Sequence, residues 1–102
     1  MTKRAFLRAV KRAIQELDPQ AEVWLFGSRA RGDARPDSDW DFLIFTALDL
    51  SLGKRWIFSD HLTELSVQSG QVISSVVYLK QEKNRISVTD LYQNAVEEGY
   101  RL

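Results

Sequence analysis

The chain has no cysteine, which excludes both a disulfide framework and a thiolate metal site. It has no excess of either charge, with 14 Lys and Arg against 14 Asp and Glu. No whole-molecule field therefore draws it to a polyanion, and nucleic acid is not a favoured partner on this ground. No apolar stretch approaches membrane-spanning length, and the opening Met1-Thr2-Lys3-Arg4-Ala5-Phe6 lacks the apolar core of a secretory signal. The expectation is a cytoplasmic protein without a membrane partner. Histidine is nearly absent: His61 stands alone in a helical stretch and reads as structural or exposed rather than catalytic. Repeats, low-complexity tracts and interdomain linkers are also missing. With 102 residues, 44% of them hydrophobic, the chain is expected to form one domain over residues 1–102.

What is present concentrates in residues 27–41, which read Gly27-Ser28-Arg29-Ala30-Arg31-Gly32-Asp33-Ala34-Arg35-Pro36-Asp37-Ser38-Asp39-Trp40-Asp41. Val23-Trp24-Leu25-Phe26 before it is a short run of β-formers that breaks at Gly27. Ser28 is then a suitable helix N-cap, and Arg29-Ala30-Arg31 favour helix until Gly32. A strand, a Gly-Ser turn and a helix start gather unpaired N–H groups and the positive end of a helix dipole, which suits phosphate. Gly32 to Ser38 is a returning loop, after which Asp39-Trp40-Asp41-Phe42-Leu43-Ile44-Phe45 reads as a second strand. Side chains alternate along a strand, so Asp39 and Asp41 should share a face. Two carboxylates on a rigid strand suit Mg²⁺, a hard ion usually held by one or two carboxylates plus substrate phosphates.

Gly27-Ser28, ten intervening residues and Asp39-x-Asp41 resemble the signature of the DNA polymerase β-like nucleotidyltransferase superfamily. Ala30-Arg31-Gly32 and Ser38-Asp39 extend the match to its small bacterial members, the minimal nucleotidyltransferases. The resemblance implies an NTP, with ATP the expected one, its phosphates at Gly27 and Ser28 and Mg²⁺ held by Asp39 and Asp41. Arg29 and Arg31 are candidate phosphate ligands; Arg29 can equally be a solvated charge, and Arg31 can instead fix the loop through Asp33 or Asp37. The pattern covers the first half of the chain directly.

Outside the motif, Phe6, Ala9, Val10, Ala13, Ile14 and Leu17 recur at helical spacing, predicting an amphipathic helix over 3–17 that Asp18-Pro19 ends. Its basic residues Lys3, Arg4, Arg8, Lys11 and Arg12 should face mostly outward. Further helices are expected over 54–67 and 89–98, strands near 22–26, 39–45 and 72–79, and a loop over Lys80 to Arg85. Trp24, Phe26, Trp56 and Phe58 read as core. The order implies an α+β fold: a small mixed or antiparallel sheet with helices packed on one face, the polymerase β-like nucleotidyltransferase fold on the resemblance.

One departure matters. Complete members of the superfamily carry a third carboxylate on a neighbouring strand, and the matching stretch here is Gly70-Gln71-Val72-Ile73-Ser74. Ser74, or Ser75 with a shift of one, stands where that acid should be. A serine is a poor base and brings no charge to a cation. Losing one such group typically costs several orders of magnitude in phosphoryl-transfer rate.

Three functions remain open. The chain could transfer an NMP, with AMP from ATP the expected group, to a hydroxyl of a protein or small molecule, with a substitute base from the acceptor or Asp37. It could be a nucleotide- or partner-binding module that lost turnover. On the resemblance, it could be the antitoxin half of a pair with a helical protein of the HEPN type. The small size predicts that a homodimer or a helical heteropartner closes the site.

Overall fold

A computed structural model describes residues 1–102. Helix α1 (Lys3–Leu17) starts where the Thr2 side chain accepts a hydrogen bond from the Ala5 N–H (3.1 Å). It ends as Asp18 turns extended ahead of Pro19. Strand β1 (Glu22–Phe26) leads into a single helical turn, α2 (Ser28–Arg31), and the chain returns as β2 (Trp40–Thr46). Helix α3 (Trp56–Ser69) crosses to β3 (Ile73–Leu79). A 3-10 turn at Lys80–Glu82 precedes α4 (Lys83–Ile86), α5 (Asp90–Glu98) and a short β4 (Tyr100–Arg101).

The strands form one mixed sheet in the order β3-β2-β1-β4. β1 runs antiparallel to β2 and β4, whereas β2 and β3 are parallel, a pairing that needs a crossover such as α3. The expected strands and long helices are all present, with ends displaced by one or two residues.

Alternation divides the sheet into two faces. Val23, Leu25, Trp40, Phe42 and Ile44 join Phe6, Val10 and Ile14 of α1 and Phe58 and Leu62 of α3 in the main core. Each large side chain so buried contributes about 1.5–3 kcal/mol before conformational entropy is counted. The expectation of helices on one face describes α1 and α3. The other face is partly covered too: Leu43 and Phe45 pack with Ile86 of α4 and Ala95 of α5.

Three local expectations are corrected. The polar run after Lys80 is not a loop, because Leu79 N–H donates to Glu82 (2.9 Å) and Lys83 reaches Glu22 (2.9 Å), fixing two short helical turns against β1. Trp56 is not core: it opens α3 with 68% of its surface exposed. Ser28 is the first residue inside α2 rather than its cap, since Gly27 takes the cap position with φ 76°.

At the far end of the sheet from α2, the buried Asp18 accepts from the Thr46 hydroxyl (2.6 Å) and from the N–H groups of Ala47 (3.1 Å) and Gln20 (3.0 Å). Burial opposes its charge, but these donors and the Lys80 ammonium outweigh it and hold the carboxyl below its ordinary pKa.

Candidate functional site

The site forms where β1 ends and β2 begins. Gly27 follows β1, and the register sets Phe26 opposite Asp41. The approach is close: a Cβ on Gly27 would lie 2.5 Å from Asp41 Oδ2. Glycine is thus required twice, by its left-handed φ and by the carboxylate against it. In the turn after it, the carbonyl of Gly27 accepts from Ala30 and Arg31, both at 3.0 Å. The N–H groups of Ser28 and Arg29 have no partner inside so short a helix and remain available to an anion.

Asp41 is half-buried, and Asp39 is exposed immediately before β2. Asp41 points away from Trp40 and Phe42, toward the face that carries Leu43 and Phe45. Burial raises its pKa first, and the charge of Asp39 raises it further; Arg31 acts in the opposite sense without reversing the shift. That combination marks a carboxylate pair whose charge the fold does not itself neutralise. A bound cation would do so.

The two arginines lie on opposite sides of this arrangement. Arg29 donates from Nε to the Ser38 carbonyl (3.2 Å) and from Nη2 to those of Pro36 and Ser38 (both 3.0 Å). Its guanidinium also lies 4.6 Å from the Trp40 ring centroid, on the α1 face. Arg29 is therefore a clamp on the loop that leads to Asp39, and the structure does not bring its guanidinium to the carboxylates. Arg31 is on the carboxylate side, where it pairs with Asp33 (3.2 Å) and Glu98 of α5 (3.0 Å). The link to Asp33 was open to the sequence. The link to Glu98, 67 residues away, carried no sequence signal.

Trp40 supports the same framework from beneath. Its ring lies 4.7 Å from that of Phe6, and its indole N–H donates to Gln71 (2.9 Å). The residue between the two aspartates thus anchors the start of β2 to α1 and to the entry of β3.

The β2–β3 register decides between the two serines. Ser74 is paired with Asp41 and Ser75 with Phe42. Ser74 therefore stands on the carboxylate face, exposed, while Ser75 faces α3 in a small cavity with Ser59, Leu62, Thr63 and Ser66. Ser75 is excluded as the equivalent of a third acid. No group of three or more His, Cys, Asp or Glu residues is close enough to hold a metal ion. The donor set is two carboxylates, which fits a Mg²⁺ completed by substrate phosphates and water. His61 lies outside the site, 3.8 Å from Glu16 of α1.

Comparison with known proteins places the chain in a family. A Methanocaldococcus jannaschii protein described as a candidate protein adenylyltransferase is 33% identical over 78 residues, covering 76% of this chain and 73% of that one. The fold is similar to that of a toxin–antitoxin solved with AMP-PNP, at a TM-score of 0.66 and 22% identity over 98% of this chain and 72% of that one. It is also similar to a Shewanella oneidensis complex of a tri-AMPylated HEPN toxin with its MNT antitoxin (TM-score 0.65, 19% identity, 98% and 71% coverage). Residues 7–100 match the family described as Nucleotidyltransferase domain, so with a phosphate-type turn set against a carboxylate pair on one mixed sheet, the chain belongs to the nucleotidyltransferases.

Proposed function

We propose that this nucleotidyltransferase domain binds ATP with Mg²⁺ and transfers AMP to a hydroxyl of a helical protein partner, at a rate limited by its incomplete carboxylate set. The observation that carries this reading is the close approach of Gly27 to Asp41, where a Cβ would lie 2.5 Å from Asp41 Oδ2, which sets the phosphate-type turn beside that carboxylate. Asp39 and Asp41 would hold Mg²⁺, and the N–H groups after Gly27, with the Ser28 hydroxyl, would hold phosphate oxygens. When bound, the ion would neutralise phosphate charge and orient the phosphates. Arg31 needs only to leave Glu98 or Asp33, both solvent-exposed pairings, to meet a phosphate.

In the transfer, the acceptor oxygen bonds to the α-phosphorus, the bond to the bridging oxygen breaks, and pyrophosphate leaves. The acceptor's proton has no carboxylate waiting for it at Ser74, so it passes to water or to a base that the partner brings. Asp37 is exposed in the loop tip and has no structural task there, which keeps it a secondary candidate. The partner assignment is supported by the neighbours of similar fold: one is an MNT antitoxin in complex with an AMPylated HEPN toxin.

A second reading, nucleotide binding without turnover, is favoured by Ser74 alone. Transfer of label from [α-³²P]ATP to a co-purified helical partner distinguishes the two. Slow, Mg²⁺-dependent labelling that Asp41→Asn abolishes is the expected result. Magnesium-dependent ATP binding without labelling of any partner would leave the binding module as the function.

A further inference from the structure

The molecule has no net charge, yet its charges are segregated. Lys3, Arg4, Arg8, Lys11 and Arg12 all belong to α1, and none of them takes part in any of the ion pairs of the structure. The acid of α1, Glu16, lies in its last turn and faces His61 of α3. Arg4, Arg8 and Arg12 are exposed and follow one another at one-turn spacing, which sets them about 6 Å apart along the axis. Between them Arg8 and Arg12 flank a shallow groove of about 230 Å³ whose remaining walls are Ala5 and Ala9.

We propose that the outer face of α1 is a docking surface for the phosphate backbone of a nucleic acid. Three features favour that occupant over an acidic protein. The cations are uncompensated, so a polyanion releases counterions on binding without breaking an internal pair. Their axial rise is close to the separation of successive phosphates along a strand. The face also offers no large apolar side chain, and stable protein interfaces are built around buried aromatic or aliphatic anchors. The alanines leave the groove floor low enough for a phosphate to sit between two guanidinium groups. Recognition of this kind reads charge and spacing rather than base sequence. It lies on the face of the sheet opposite Asp41 and is independent of ATP.

The test measures fluorescence anisotropy of labelled single-stranded RNA and of a short duplex, in EDTA so that the carboxylate site is silent, across a salt series. Wild type is compared with the triple variant Arg4→Gln, Arg8→Gln, Arg12→Gln and with the triple arginine-to-lysine variant. All three positions are exposed in a helix, where Gln and Lys are good helix formers, and circular dichroism verifies the fold. The expected result is salt-dependent binding that the glutamine variant weakens roughly tenfold or more at low salt, with the log–log salt slope reduced by about 0.7–0.9 per lost phosphate contact. The lysine variant should keep most of the affinity. No binding by wild type at low salt, an unchanged slope in the glutamine variant, or equal competition by polyglutamate would each overturn the proposal, the last in favour of an acidic protein.

Discussion

Ser74 is in register with Asp41 across the parallel β2–β3 pair, one strand away on the same face of the sheet. A side chain at 74 therefore has direct access to the carboxylate pair, and one at 75 does not. Ser74→Asp should tighten Mg²⁺ binding, by about tenfold or more if the new charge coordinates, and raise AMP transfer. Ser75→Asp should do neither and should lower the melting temperature, because it sets a charge in the small cavity under α3. Magnesium titration and labelled transfer over both variants check this; equal responses of the two would contradict the β2–β3 register.

Gly27→Ala meets two obstacles, a left-handed φ of 76° and an Asp41 oxygen 2.5 Å from the new Cβ. The backbone strain alone costs on the order of 1–2 kcal/mol, and relief of the clash must move Asp41. The variant should melt lower and also lose Mg²⁺-dependent ATP affinity. A variant that melts lower but binds as wild type would separate the turn from the site.

Asp41 carries a cost that the fold leaves in place. Its pKa is raised by burial and by Asp39, so the native state holds its proton more tightly than the unfolded chain does. Stability is consequently lost as pH rises from the ordinary carboxylate range through the raised value, and the cost is fully present at neutral pH. Asp41→Asn should raise the melting temperature of the metal-free protein at neutral pH, with the difference vanishing in acid. In wild type, Mg²⁺ affinity should fall as pH is lowered through the same raised pKa, since proton and metal compete. Thermal melts of both proteins across pH, with and without Mg²⁺, measure both effects.

Asp18 has the opposite sign. Its folded pKa is depressed, so its contribution is present above the ordinary carboxylate range and disappears as pH falls through the depressed value. Asp18→Ala should cost about 1–3 kcal/mol near neutrality by leaving the Thr46 hydroxyl and the Ala47 N–H without their acceptor. Denaturant melts at neutral and acid pH should show the gap between variant and wild type closing in acid, while ATP binding at neutral pH is the same in variant and wild type.

Much of this arrangement was legible in the chain. The alternation of Trp40, Phe42 and Ile44 with Asp41 assigned the faces of β2, and the spacing from Gly27 to Asp41 assigned the turn and the returning strand. What the sequence left open depends on contacts between distant segments. The choice between Ser74 and Ser75 required the β2–β3 register, which the uncharged β-formers of Ile73–Leu79 do not specify by pattern. Arg29 and Arg31 are two residues apart with similar chemistry, and only the loop carbonyls and Glu98 separate a clamp from a site-facing cation. Trp56 misled because helical spacing does not tell which face of α3 meets the sheet at its first turn. The basic residues of α1 were legible as an outward face, whereas their standing outside every ion pair is a property of the fold.

Under the proposed function, the Gly27 turn and the Asp39–Asp41 pair form one site for ATP and a divalent cation. Isothermal titration of ATP into the protein in Mg²⁺ and in EDTA, for wild type and Asp41→Asn, tests it most directly. Wild type should bind ATP only with Mg²⁺, and a fully folded Asp41→Asn should lose most of that Mg²⁺-dependent affinity. ATP binding of equal strength in Mg²⁺ and EDTA, unchanged by the substitution, would contradict it.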